Sequence, residues 1–147
     1  MTRTLAVLAL AGCALLSPAP DPSDPPLRFA PGMLAYFEWL QREAQTETAV
    51  CLYGRRIRGR WYVESLRPPV ITRRTVASVS YQRCDGNGYI GVVHNHPAPG
   101  MCYFSGVDRR TFEADPSAIV DVVTCKDGML IAAKGRRGLW LVEWDGP

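Results

Sequence analysis

Histidine is nearly missing from this sequence, with two in 147 residues. No run approaches the roughly 18 consecutive apolar residues that a spanning helix requires, which argues against a helical membrane protein. Charge of one sign is also scarce: 17 Lys+Arg against 14 Asp+Glu leave a formal +3. That balance does not by itself imply a nucleic-acid partner. No internal repeat and no sustained heptad pattern is present, against a solenoid or a coiled coil. What remains is 47% hydrophobic and 21% charged residues, ordinary for a globular protein and too apolar for a disordered one. The length favours one domain.

The N-terminus suggests a compartment. Met1 to Arg3 is a short basic opening, Leu5 to Ala11 is apolar, and Leu10-Ala11-Gly12-Cys13 follows. This resembles the lipobox of a bacterial lipoprotein, in which the cysteine is lipidated and starts the mature chain. Residues 17–26 read SPAPDPSDPP, and so much proline makes a stiff, extended spacer. Residues 1–26 are therefore expected to be signal peptide, lipobox and tether, with the folded domain at 27–147. The expected location is exported and membrane-anchored through Cys13, the alternative being cytoplasmic. Cys51, Cys84, Cys102 and Cys125 remain, and three disulfide pairings are open to them.

Pro31 suits a helix start, and Leu34, Tyr36-Phe37 and Leu40 predict an amphipathic helix to Ala44. Ala49–Tyr53 and Trp61–Val63 predict a hairpin across Arg58-Gly59, ended by Arg67-Pro68-Pro69. Residues 70–88 are ambiguous, with a hint of strand at Val76–Tyr81 and a turn at Asp85–Gly88. Tyr89–Val93 is another strand. Ser105 reads as the N-cap of a helix carried by Asp108–Glu113 and stopped near Pro116. Strands at Ala118–Cys125, Met129–Ala133 and Leu139–Trp144 close the chain. The expected class is α+β, a single mixed or antiparallel sheet flanked by helices.

The two histidines, His94 and His96, sit two apart at a strand end, so both rings point to one side. Imidazole is a preferred zinc ligand. Asp108 lies twelve residues after His96, in the first turn of the helix capped by Ser105, where the dipole favours a carboxylate. Two histidines and an aspartate with an open fourth position form the donor set of a catalytic zinc.

These residues carry a family resemblance. Tyr89-Ile90-Gly91-Val92-Val93-His94-Asn95-His96-Pro97, followed by Cys102-Tyr103-Phe104-Ser105-Gly106-Val107-Asp108, resembles the JAMM signature of JAB/MPN metalloproteases: His-x-His-Pro, a short loop, then Ser-x-x-Asp. Upstream, Glu47-Thr48-Ala49-Val50-Cys51-Leu52-Tyr53-Gly54 matches the spacing of the family's glutamate motif. The resemblance covers Leu27 to the C-terminus and implies an MPN/cytidine-deaminase-like core. It also implies a Zn2+ ion on His94, His96 and Asp108, Glu47 as proton shuttle and Ser105 as oxyanion donor. The reaction implied is zinc-dependent hydrolysis of a peptide or isopeptide bond in a peptide or protein substrate, cell-envelope peptides among the candidates for an exported chain.

Two departures stand out. One extra residue falls in Ala98–Met101, placed to displace Ser105 and Asp108. Val50 replaces the motif's first glycine, where a branched side chain would crowd the cleft.

Two other readings compete. The string His-Asn-His is not an HNH nuclease motif, which needs three dispersed residues. Arg55, Arg56, Arg58, Arg60, Arg73, Arg74, Arg109 and Arg110 offer phosphate donors, but the offsetting acids argue against nucleic acid. An inactive MPN-like scaffold is the alternative to an enzyme.

Overall fold

The computed structural model describes residues 24–144. Their order is β1 (Leu27–Phe29), α1 (Met33–Glu43), β2 (Ala49–Ile57), β3 (Arg60–Arg67), β4 (Ile71–Arg74), β5 (Val79–Tyr81), β6 (Tyr89–Asn95), α2 (Gly106–Ala114), β7 (Val120–Cys125), β8 (Gly128–Ala133) and β9 (Trp140–Glu143). Seven strands form one mixed sheet in the order β1-β3-β2-β6-β7-β8-β9, and β4-β5 form a small second sheet. The fold is α+β. The lipobox-like segment with Cys13 lies outside the described residues. No described helix is long and apolar enough to cross a membrane.

The first hairpin turns where expected. Arg58 and Gly59 both take positive φ, 48° and 86°, as a two-residue turn matched to the strand twist requires. Apolar β6 is buried along all seven residues because it lies mid-sheet, antiparallel to β2 and parallel to β7. The parallel pairing needs a crossover, which α2 provides. Hairpin-type connections thus describe only part of the sheet. Gly91 permits the close approach of β6 to β7: a Cβ there would lie 2.0 Å from the Val120 carbonyl oxygen.

Several boundaries differ from the sequence reading. Val76 lies outside β5, and the ambiguous stretch holds the paired strands β4 and β5. The helix α1 does not bury the face its apolar spacing suggested. Of the four apolar positions only Phe37 is buried; Leu40 is partly buried and Leu34 and Tyr36 are exposed, while the polar Gln41 is buried. A polar residue is buried because the backbone beneath it needs a donor, as described below. Val50 is also corrected. It packs with Leu52, Val63, Val93 and Phe37 in one core cluster, whereas Ala49, Cys51, Tyr53 and Val92 face the other. Strand alternation therefore sends the branched side chain away from the cleft.

The four cysteines in this region pair as Cys51–Cys84 and Cys102–Cys125. The second bond ties the loop after His96 to the end of β7.

Candidate metal centre

Pairing between β2 and β6 assembles the site. Their antiparallel register sets Ala49 opposite His94, and continuing it places Glu47 beside His96. Glu47 Oε1 lies 3.7 Å from His96 Nε2. The HxH alternation holds the two rings together, centroids 5.1 Å apart. Asp108 arrives from the first turn of α2, its Oδ1 3.4 Å from His94 Nε2 and its Oδ2 3.7 Å from His96 Nε2. One ligand atom from each of His94, His96 and Asp108 lies within 4.8 Å of the others.

Ser105 and Asp108 form a capping box. The Ser105 backbone N–H donates to Asp108 Oδ2 at 2.6 Å, and the Asp108 N–H donates to Ser105 Oγ at 3.2 Å. A hydroxyl that accepts keeps its own proton to donate, so the cap and a contact to substrate are compatible. With the extra loop residue present, Ser105 caps α2 and Asp108 reaches the two histidines. The loop folds back so that the Met101 carbonyl accepts from His96 Nδ1 at 2.8 Å. A carbonyl can only accept, which makes Nδ1 the protonated nitrogen and leaves the Nε2 lone pair toward the cluster.

The two rings are shifted in opposite directions. Burial and the neighbouring His94 hold His96 below its ordinary value, favouring the neutral ring that a metal needs. Burial also works against His94, but the carboxylates of Asp108, Asp121 and Glu47 raise it. Burial opposes ionisation of Asp108 too, yet His94 and the Ser105 donors pull it down to about 2. Glu47 is pushed up by burial, with His94 opposing and Asp108 adding, the direction that suits a proton acceptor. Glu47, His94, His96 and Asp108 line a cavity of about 170 Å³ together with Val79, Tyr81, Val92 and Phe112.

A metal is tested here by one atom. His94 Nε2 is buried and makes no hydrogen bond, an arrangement that costs stability unless another partner takes its lone pair. The donor set, two imidazoles and a carboxylate, is the kind that zinc accepts. The residues fit the ion.

Sequence reasoning missed the supports. Asn95, between the histidines, is fully buried and clamps the segment carrying Glu47. Its Oδ1 accepts from the Thr48 N–H at 2.6 Å, and its Nδ2 donates to the Thr46 carbonyl at 3.4 Å. Gln41 donates to the His96 carbonyl at 2.8 Å and accepts from the Thr124 hydroxyl at 3.1 Å. Asp121 lies in β7 with its Oδ1 3.7 Å from His94 Nδ1. Burial pushes its carboxyl up to about 6, with His94 opposing. The one available signal was a polar residue inside an apolar run, as Asp121 is within Ala118–Val123.

The clamp gives a testable expectation. Asn95→Ala should cost about 1–3 kcal/mol by orphaning the Thr48 N–H. Denaturant melts of the variant and the parent check it.

Residues 30–137 match a family model described as prokaryotic homologs of the JAB domain. No curated protein matches the chain.

Proposed function

Because the chain belongs to the family of prokaryotic JAB-domain homologs, matched over residues 30–137, we propose that it is a zinc-dependent peptidase or isopeptidase. The observation that carries this reading is the buried His94 Nε2, without a hydrogen bond, inside the cluster of His94, His96 and Asp108. Those three residues would hold the ion. Bound zinc would supply a Lewis acid and bring a coordinated water's pKa toward neutral.

The chain's own groups account for the rest of the chemistry. Glu47, within reach of His96 and raised by burial, would take the proton of the attacking water and return it to the leaving nitrogen. Ser105 Oγ, fixed by the α2 cap, would donate to the carbonyl oxygen as charge develops on it. Met101 and Gln41 hold the ring and backbone of His96, so these groups meet the substrate already oriented.

The substrate we propose is a peptide, with cell-envelope peptides favoured. Two disulfides among the described cysteines support an oxidising compartment, in line with export and a lipid anchor at Cys13. Two arginines of the basic cluster are engaged locally, Arg55 with Glu64 and Arg60 with Asp24, which supports peptide over nucleic acid. The test is hydrolysis of a peptide and isopeptide library by the purified chain, with chelation and zinc re-addition. Cleavage lost on chelation and restored by zinc is the expected result. Stoichiometric zinc with no cleavage of any member would favour a scaffold instead.

A further inference from the structure

Asp121 is out of place in its strand. Its neighbours Val120, Val122 and Val123 are fully buried valines, and Asp121 itself is only 7% exposed. The β6–β7 register sets it opposite Val92, on the face that carries His94 two residues further along. Its Oδ1 lies 3.7 Å from Nδ1 of His94, the ring nitrogen turned away from Asp108. Among the described residues no lysine or arginine forms an ion pair with it. A buried carboxylate without a cation is destabilising, and a valine like its neighbours would suit such a strand better. The position is explained if the carboxylate serves His94.

We propose that Asp121 is a positioning residue for the metal centre: its carboxylate accepts a hydrogen bond from the Nδ1–H of His94 and so leaves the Nε2 lone pair for the cation. The proposal rests on the zinc reading of the site. It gives His94 the same arrangement that the Met101 carbonyl gives His96, with each ring held from behind through Nδ1. Outer partners of this kind fix the tautomer and ring orientation and raise ligand basicity. A ring held on an ion through Nε2 would need only a small approach to bring the 3.7 Å separation to hydrogen-bond length.

The experiment uses the whole chain with Asp121→Val and Asp121→Asn. Zinc affinity is read by competition with a chromophoric chelator, the ligand field by the visible spectrum of the Co2+ form, and folding by melting of the metal-free protein. Asp121→Val should bind zinc about 10- to 100-fold more weakly and shift the Co2+ bands, while its metal-free form melts at or above the parent's temperature. Asp121→Asn, whose amide oxygen still accepts from Nδ1, should recover most of the affinity. Zinc affinity of Asp121→Val within twofold of the parent overturns the proposal. So does an Asp121→Val chain that fails to fold or melts lower when metal-free, because the role is then structural. A parent that binds no zinc overturns the zinc reading itself, which separates the two failures.

Discussion

Glu47→Gln is expected to lower turnover by about 10²–10⁴-fold while zinc content stays at the parent's level. The amide keeps the shape of the side chain but cannot accept a proton, and general-base catalysis is worth about that factor. Glu47 Oε1 stands 3.7 Å from His96 Nε2 and lies outside the metal-ligand cluster of His94, His96 and Asp108, so metal affinity should barely move. Peptide hydrolysis with metal analysis on the same preparation decides it. Parental turnover in the variant would remove Glu47 from the mechanism.

His96→Ala should lose zinc and activity together. The substitution deletes one of three donors and also abandons the Met101 carbonyl that the ring satisfies. The loss of affinity should exceed the roughly 10–100-fold typical of an outer partner. Asp108→Asn should fall between the two variants, because the amide oxygen still ligates and still caps α2, but the charge held at about pKa 2 is gone. Metal analysis after dialysis against a weak chelator separates the three. Full zinc retention in His96→Ala would sink the site.

Much of this protein was legible because the chemistry involved is local. The HxH spacing fixes two rings on one side of a strand, and Ser105 with Asp108 encodes a helix start over four residues that also aims the carboxylate. The hairpin at Arg58-Gly59 follows from two residues, and the α+β class follows from the alternation of apolar segments.

The rest depended on contacts that sequence distance hides. Gln41 reaches Thr124 across 83 residues and His96 across 55, so a polar helix residue is buried for partners that lie far away in the sequence. The direction of Val50 was set by the β2–β6 register, and that same register brought Glu47 to His96. The cysteine pairing was one of three possibilities until the sheet placed Cys51 against Cys84 and Cys102 against Cys125. By itself the sequence determined the ligand candidates and the elements that carry them, since those rest on backbone geometry within a few residues. Only the tertiary structure decided what stands behind each ligand, Asn95 on the Glu47 segment and Asp121 at His94, because a strand's partners are chosen by the whole sheet.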